Sequence, residues 1–544
     1  MTPKIEEIRN LYTLVKNSAN SFPERIALSE YKKEKLNSLL YSELLSAIDK
    51  KAEELYKIQI KAGSNVALAG SNSIDWVVTF FSIIKIGCVV VPIDPKMNKK
   101  GIEFILEFTN SKLFLVDNVK NFNISTKLKS LIHSMNSVEI KVQGKGSKNI
   151  QPLVLLKNIR SLEREINNDI AEILFTSGTT GTPKGVVLTQ NNLLSNIKDI
   201  HSMLPLENHQ KSFSILPLHH VYELTCGLLH NISRGNHTHL CSKIDITNMA
   251  KEMNQFQPTV WPVVPLILEK IYKNINKTIS RSNIKMIIFK LFPKLFGLIL
   301  RRKLGLKKLK VILSGGAPLN SDVETFFTNI GLPITQGYGL SEASPLISVN
   351  PMNNQKIGSV GRIISSCKVV IKNPNDKGHG LIMAKGPNIF PGYYKNKELT
   401  DEILKDGWLN TGDIGFIDEE GYLYITGREK FVIVNKGGLN IYPEEIEEFF
   451  SSSIYIKDIV VFSDDNENII ALIRPDEEFV KDKDESEIGK VIYSNCIEIN
   501  KGLESYKRVK KFYLSSHDFE KTSTQKIKRS FLKNINLEDY SLAR

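Results

Sequence analysis

Cysteine is scarce in this chain: its 544 residues include five, at Cys88, Cys226, Cys241, Cys367 and Cys496. They are widely spaced and none belongs to a CxxC pair, which argues against both a disulfide framework and a zinc site. A reducing cytoplasm is therefore the simplest location. With 41% hydrophobic and 24% charged residues, the composition is that of a globular protein.

Long apolar runs are also missing. The nearest candidate, Trp76–Pro92, is interrupted by Lys85 and Gly87, so it predicts a buried helix followed by a strand and not a membrane span. The N-terminus has no uninterrupted apolar core after a basic start, and we expect no secretory signal. The length exceeds one ordinary core and predicts about three or four domain-sized units. Residues 1–60 are expected to be mostly helical, with one amphipathic segment beginning at Tyr41.

Acidic residues are absent from one segment. Residues 281–310 hold ten Lys or Arg and no Asp or Glu, and so carry most of the net charge of +13. Apolar residues recur there at helical spacing, which fits either a packed helix pair broken near Pro293 or peripheral contact with an anionic membrane surface. An acidic carrier protein or CoA would suit the same charge, and we see no nucleic-acid-binding motif.

The stretch Ile173–Gln190, ILFTSGTTGTPKGVVLTQ, predicts a strand, a loop and a second strand. Its glycines let the backbone approach a ligand closely, and Lys184 adds a cation. The hydroxyl groups that would converge on an anion belong to Thr176, Ser177, Thr179, Thr180 and Thr182, interleaved with Gly178 and Gly181. Because the loop does not end in Gly-Lys-Ser/Thr, it does not fit the Walker pattern. The stretch predicts a phosphate-binding loop of another kind.

The motif TSGTTGTPKG resembles the signature loop of the adenylate-forming (AMP-binding) superfamily, and further motifs extend the resemblance over nearly the whole chain. The resemblance is to the long-chain fatty acid:CoA ligase branch. It implies an α/β protein with a large N-terminal domain, residues 1–429, built of wound α/β sheets and a β-barrel-like subdomain. A small mobile α+β C-terminal domain, residues 430–544, would rotate about a hinge at Lys430.

By the same resemblance, three stretches form the ATP site. VILSGGAPL and ITQGYGLSEASP supply the adenine and phosphate contacts, with Tyr338 able to stack on adenine and Glu342 as the Mg²⁺ ligand. Asp413 would bind the ribose hydroxyls, and Arg428 the ribose and phosphates. The other residues assigned to the nucleotide are Gly315, Gly316, Gln336, Gly337, Gly339 and Ser341, the last standing where most relatives carry threonine.

The remaining assignments concern the acid and the thiol. The stretch PLHHVYE resembles the PLxHxxE element of long-chain members and places His220, Tyr222 and Glu223 at the acyl pocket; Val263, in PTVWPVVPL, would line the acyl tunnel. Taken alone, paired histidines near a helix start are more often capping or core residues. Gly437 and Gly438 would border the tunnel for the thiol, and Lys526 matches the lysine that relatives use for adenylation.

The implied reaction has two steps. A fatty carboxylate of medium to long chain attacks the α-phosphate of ATP, with Thr176, Lys184, Glu342 and Lys526 assisting, and CoA then takes the acyl group from the adenylate as the small domain turns about Lys430. Transfer to an acyl carrier protein, or a reaction that stops at the adenylate, is the alternative. An inactive regulatory homologue is a further one, which the intact motif residues disfavour.

Overall fold

A computed structural model describes residues 8–122, 124–125, 128–135, 170–176, 183–207, 209–241, 245–280, 289–434, 440–464, 468–481, 483–521 and 527–543. Three predicted groups of site residues lie outside this set. They are Ser177, Gly178, Thr179, Thr180 and Gly181 of the loop, the Gly437–Gly438 pair, and Lys526.

The helices follow one another along the chain as α1 (Leu11–Ser21), α2 (Tyr41–Lys57), α3 (Ile74–Lys85), α4 (Lys99–Phe108), α5 (Gln190–Met203), α6 (His230–Ser233), α7 (Ile246–Phe256), α8 (Pro265–Ser280), α9 (Pro293–Lys303), α10 (Ser321–Asn329), α11 (Lys397–Ile403), α12 (Pro443–Ser451), α13 (Glu477–Val480) and α14 (Glu485–Lys501). A π-helical segment covers Glu223–Leu229. Short 3₁₀ turns include Ser341–Ala343 and Glu429–Phe431.

One sheet has the strand order β6-β5-β3-β4-β7-β8. Its strands are β3 (Asn65–Ala69), β4 (Val89–Ile93), β5 (Leu113–Val116), β6 (Ile132–Ser134), β7 (Ile170–Thr176) and β8 (Lys184–Thr189). β3, β4 and β5 pair in parallel and are apolar and buried, as expected for strands covered on both faces. β7 and β8 form an antiparallel hairpin at the edge, so the predicted strand, loop, strand arrangement is confirmed for the two strands.

The larger sheet begins with two N-terminal strands, β1 (Ile26–Lys32) and β2 (Lys35–Leu40), where the sequence predicts mostly helix. That prediction is wrong for residues 26–40. The hairpin turns at Lys33 and Glu34, which both adopt positive φ (50° and 64°), as two-residue hairpin turns require. The Asn-Gly or Asp-Gly pair that usually marks such a turn is absent from the sequence, so the sequence does not indicate a hairpin here.

The strands of the complete larger sheet follow the order β16-β17-β19-β20-β15-β14-β13-β12-β11-β9-β10-β1-β2. Its parallel part contains β9 (Lys211–Ser214), β10 (His237–Leu240), β11 (Val260–Val263), β12 (Val311–Ser314) and β13 (Ile334–Gly339). The antiparallel part contains β14 (Leu346–Val349), β15 (Gly361–Ile363), β16 (Lys368–Lys372), β17 (Gly380–Lys385), β18 (Leu404–Lys405, paired with β19), β19 (Trp408–Ile417) and β20 (Tyr422–Arg428).

The C-terminal part has its own sheet, in the order β23-β24-β25-β26, and its own apolar core. Its strands are β23 (Ile456–Ser463), β24 (Ile469–Pro475), β25 (Lys511–Leu514) and β26 (Ser541–Leu542), and a separate pair joins β21 (Ile433–Val434) to β22 (Asn440–Ile441). Pro443 opens α12, and Glu444 and Glu445 in its first turn favour the N-terminal end of the helix dipole. The α/β class, with a large N-terminal domain and a smaller C-terminal one, is confirmed.

Candidate active site

The β7–β8 hairpin sets Thr176 directly opposite Lys184, at the two ends of the predicted phosphate loop. Gly185 follows Lys184, and its carbonyl accepts a hydrogen bond of 2.7 Å from the Tyr394 N–H. A side chain at Gly185 would come within 3.1–3.2 Å of Ile173, Phe175 and Tyr394. Glycine at this position therefore lets the 392–394 segment lie against the hairpin.

Tyr393 connects Lys184 to the predicted metal ligand. Its hydroxyl donates a hydrogen bond of 2.7 Å to Oε1 of Glu342, and Lys184 Nζ lies 5.5 Å from its ring centroid. Glu342 is held from its backbone as well, because its carbonyl accepts the Phe390 N–H at 2.9 Å. Sequence reasoning did not single out Tyr393; the signal was the aromatic pair that follows Pro-Gly in NIFPGYY.

A second cluster joins Tyr338, Asp413 and Arg428. β19 and β20 pair Asp413 with Arg428, so that Arg428 Nε lies 2.8 Å from Asp413 Oδ1. The Tyr338 hydroxyl, on β13, donates to Oδ2 at 2.7 Å. The buried Asp413 carboxylate raises the pKa of Arg428, while burial, and next the same carboxylate, raise that of Tyr338. The three residues proposed for the adenosine are thus in direct contact.

Lys430 lies just after Arg428, in the 3₁₀ turn that follows β20. Burial, and next the neighbouring charges of Arg428 and Lys184, lower the pKa of its ammonium from 10.5 to about 8. The contributions of Arg428 and Lys184 mean that both cations lie near Lys430. A group of cationic side chains in one region suits a polyanionic ligand.

The predicted glycines are constrained in three different ways. A side chain at Gly339 would overlap the Pro345 carbonyl, and Gly316 adopts a φ of +86°. A Cβ on Gly315 would come 3.3 Å from the Tyr222 ring and 3.4 Å from the Gly337 carbonyl oxygen. Gln336 points its amide to Glu324 of α10, at 2.8 Å. Ser341 opens the turn that carries Glu342, with its carbonyl accepting the Ser344 N–H at 3.3 Å.

The predicted acyl pocket begins beside these glycines. The Tyr222 hydroxyl donates to the Leu313 carbonyl at 2.9 Å, and Val263 is fully buried at the end of β11. Tyr222 thereby joins the acid side of the site to the nucleotide side. β9, the strand before this stretch, ends at Ser214.

His220 and Glu223 are buried titratable groups behind Tyr222. Burial raises the pKa of the Glu223 carboxyl from 4.5 to about 8, an effect that the nearby Ser214 hydroxyl opposes, and burial lowers the pKa of His220. The rings of His219 and His220 lie 4.5 Å apart, and neither Nε2 has a hydrogen-bond partner among the described residues. Glu223 begins the π-helical segment, a rare conformation that is frequent at functional sites. Buried polar atoms of this kind are candidates for a ligand or water.

Glu342 would bind a magnesium ion only together with further oxygen ligands from a substrate. Within the described part of the chain, no group of three or more His, Cys, Asp or Glu side chains could hold a metal by itself. Magnesium is often bound by one or two carboxylates plus phosphate oxygens and water. Glu342, which Tyr393 links to Lys184, has the donor chemistry for that arrangement.

The C-terminal part contacts the rest of the molecule through α8 and α10. Lys273 Nζ donates to the Ile456 carbonyl at 2.7 Å, and Lys277 Nζ lies 3.1 Å from Asp476 Oδ1. From α10, the Asn320 amide donates to the Glu448 carbonyl at 2.7 Å. These polar contacts hold the small domain in its present orientation. The five cysteines are all buried, and none forms a disulfide.

The profile of the family described as AMP-binding enzyme matches residues 15–394, and that of the AMP-binding enzyme C-terminal domain matches residues 430–541. The chain belongs to the AMP-binding enzyme family. It is an adenylate-forming acid–thiol ligase of that family, and the predicted resemblance is confirmed. The role of each AMP-binding residue, and the domain boundary at Lys430, stay predictions.

Known AMP-binding enzymes differ in their acids and thiols. The chain is 29% identical, over 78% of its length and 75% of the other's, to "Long-chain-fatty-acid--CoA ligase FadD15" of Mycobacterium bovis. It is 27% identical to "Long-chain-fatty-acid--[acyl-carrier-protein] ligase AEE15, chloroplastic" (85% and 76% covered) and 31% identical to "Oxalate--CoA ligase" (80% and 82% covered), both of Arabidopsis thaliana. Its fold matches o-succinylbenzoate CoA synthetase of Bacillus subtilis in complex with ATP and magnesium ion, with a TM-score of 0.74, 23% identity and 96% and 99% of the two chains covered.

Proposed function

We propose that this chain is an AMP-forming fatty acid:CoA ligase for medium- to long-chain acids. In the first step a fatty carboxylate oxygen attacks the α-phosphorus of ATP, the bond to the bridging oxygen breaks, and pyrophosphate leaves. In the second step the CoA thiolate attacks the acyl carbon, and AMP leaves as the thioester forms. The observation that carries the proposal is the placement of Lys184, Tyr393 and Glu342 next to the cluster of Tyr338, Asp413 and Arg428.

In this account the nucleotide lies between the two clusters. Asp413 releases its Tyr338 or Arg428 contact to bind the ribose hydroxyls, and the adenine stacks on Tyr338 over Gly315 and Gly316. Gln336, Gly337, Gly339 and Ser341 complete its walls. Lys184 and Arg428 offset the charge of the phosphates, and the hydroxyls of Thr176 and of residues 177–182 donate hydrogen bonds to them. Magnesium, when bound at Glu342, supplies further charge neutralisation.

The acid enters from the opposite side, past His220, Tyr222 and Val263. The fully buried Val263 and Trp261 of β11 give this side an apolar wall suited to an alkyl chain. Glu223, with its raised pKa, is neutral at pH 7, so it does not repel an incoming carboxylate. The M. bovis relative, whose printed name specifies long-chain fatty acids, supports the same substrate class.

The small domain, residues 430–544, serves first adenylation and then thioester formation by turning about Lys430. We assign Lys526 to adenylation and the Gly437–Gly438 turn to the tunnel for pantetheine. A second acceptor, an acyl carrier protein, is favoured by the match to the A. thaliana carrier-protein ligase.

Product analysis tests the acceptor. The purified chain is given ATP, magnesium and hexadecanoate, with either CoA or a holo acyl carrier protein, and thioesters are measured by mass spectrometry. Thioester with CoA supports the proposal, and repeating the assay with acids of eight to eighteen carbons gives the chain-length optimum. If a thioester forms only with the carrier protein, that protein and not CoA is the acceptor. If adenylate forms but neither thioester does, the proposed second step is wrong.

A further inference from the structure

The outer face of α9, together with the two residues before it, exposes large apolar side chains. Of the large hydrophobic residues that are exposed in the described part of the chain, Leu291, Phe292, Leu295, Leu298 and Ile299 are between 52% and 65% exposed and fall within nine consecutive positions. We call these five residues, together with Lys290, Lys294, Arg302 and Lys303, the basic–apolar face. Scattered single hydrophobic residues are normal on a surface, but a contiguous patch marks an interaction site.

The helix that carries this face is fixed firmly on its other side. A side chain at Gly297 would overlap the Ile330 carbonyl, so α9 lies against the backbone that follows α10. Phe296 packs edge-on against Phe289, with centroids 5.5 Å apart. Arg301 donates to the carbonyls of Leu306, Gly331 and Leu309. The exposure of the outer face therefore does not come from a loosely attached helix.

On the helical part of the basic–apolar face, apolar and charged groups are regularly arranged. At 100° per residue, Leu295, Leu298 and Ile299 lie together at its centre, with Lys294 on one flank and Lys303 on the other. Lysine side chains in this position can extend their ammonium groups to the headgroup level while their stems cover apolar surface. An apolar stripe between basic flanks is the pattern of helices that lie in a membrane interface.

The charge around α9 has one sign. Residues 289–310 contain eight Lys or Arg and no Asp or Glu. Lys310 pairs with Glu207 at 3.5 Å, whereas Lys290, Lys294, Arg302, Lys303, Lys307 and Lys308 form no ion pair with any residue that the structure describes. An anionic surface would thus meet cations that the described residues do not neutralise.

From these observations we propose that the basic–apolar face binds the surface of a bilayer that contains anionic phospholipid. An acidic protein would match the charge but would also need an apolar groove for the central aliphatic side chains, whereas the headgroup region of a bilayer accepts both kinds of side chain. The binding is peripheral: α9 has eleven residues, and no described helix has the length and apolarity to cross a bilayer. The proposal rests on surface chemistry and is independent of the proposed function.

Vesicle flotation with the full-length chain tests the proposal without any activity assay. The probes are vesicles of phosphatidylcholine alone and of phosphatidylcholine with about a third phosphatidylglycerol. We expect binding to the anionic vesicles that weakens with salt, since about 1 kcal/mol per basic residue corresponds to roughly a five-fold change in affinity for each charge. Lys294→Glu/Arg302→Glu/Lys303→Glu should reduce binding by at least about 100-fold, and Leu295→Gln/Leu298→Gln/Ile299→Gln by at least about ten-fold.

Matched controls change exposed residues elsewhere on the protein. Lys368→Glu/Lys372→Glu on β16 alters charge, and Leu36→Gln/Val370→Gln alters exposed apolar side chains; both should bind vesicles like the unmodified chain. Circular dichroism checks that each variant is folded. Equal binding by all variants, or no binding to anionic vesicles, would overturn the proposal. Loss of carrier-protein binding in the α9 variants, without vesicle binding by the unmodified chain, would assign the face to an acidic protein instead.

Discussion

The Tyr393 hydroxyl donates a 2.7 Å hydrogen bond to Glu342 Oε1, while the ring of the same tyrosine lies 5.5 Å from Lys184 Nζ. One side chain therefore orients the proposed metal ligand and borders the proposed phosphate-binding lysine. Because the two contacts use different parts of the tyrosine, they can be separated by substitution.

Tyr393→Phe removes the hydroxyl and keeps the ring. We expect the magnesium concentration for half-maximal pyrophosphate release to rise about three- to ten-fold, since a hydrogen bond is worth roughly 0.5–1.5 kcal/mol. Titration of magnesium at fixed ATP measures the change. Tyr394→Phe is the matched control, because its hydroxyl contacts Asn65 at 3.2 Å and not Glu342. An unchanged magnesium requirement in Tyr393→Phe would remove the positioning role.

Lys526→Ala separates the two half-reactions. We expect adenylate formation from ATP and fatty acid to fall by more than about 100-fold, because a cation that offsets charge in the transition state is lost. Conversion of supplied acyl-adenylate to thioester should persist. Lys528→Ala is the control, because Lys528 is close to Lys526 in sequence but forms an ion pair with Glu520. Equal losses in both half-reactions would contradict the role given to Lys526.

Glu223→Gln should change how stability depends on pH. A carboxyl whose folded pKa of about 8 exceeds its ordinary 4.5 stabilises the fold fully below pH 4.5 and loses that contribution as pH rises through 8. Relative to Glu223→Gln, the unmodified chain should therefore lose up to about 3 kcal/mol of unfolding free energy from pH 5.5 to 7.5, at roughly 1.4 kcal/mol per pH unit. Denaturant unfolding at several pH values measures this difference. Parallel stability curves would show that Glu223 does not titrate in this range.

Lys277→Ala should loosen the small domain, because Lys277 pairs with Asp476 and Glu478 across the interface. Such partly exposed pairs contribute roughly 0.2–1 kcal/mol, so we expect changes of about 1.5- to five-fold. If the observed orientation serves one half-reaction, the variant should slow that reaction and accelerate the other. Lys270→Ala, on an exposed position of the same helix, should leave both unchanged. Changes of the same sign in both half-reactions would contradict a conformational role.

Sequence predicts most of the local elements around the site. The hairpin around the phosphate loop and the α3–β4 unit in Trp76–Pro92 both follow from short apolar runs bounded by glycine or proline. These features are decided by neighbours within a few residues, so a single sequence carries them.

Contacts between residues that are far apart in sequence cannot be predicted in the same way. Asp413 and Arg428 were each predicted, but their pairing depends on the register of β19 and β20. Tyr393 reaches Glu342 across fifty-one positions, and Lys273 reaches Ile456 across 183. The π-helical segment at Glu223 leaves no clear pattern in sequence either, since its extra residue per turn is fixed by packing. Tertiary geometry decides all four.

The most direct test of the central claim is pyrophosphate release without any thiol, measured with ATP, magnesium and a single acid at a time. Acids of eight to eighteen carbons are compared with oxalate and with aromatic carboxylates, and the adenylate is identified by mass spectrometry. The account predicts adenylate and pyrophosphate with the fatty acids and little with the others. Release with oxalate or an aromatic acid but not with fatty acids would contradict it.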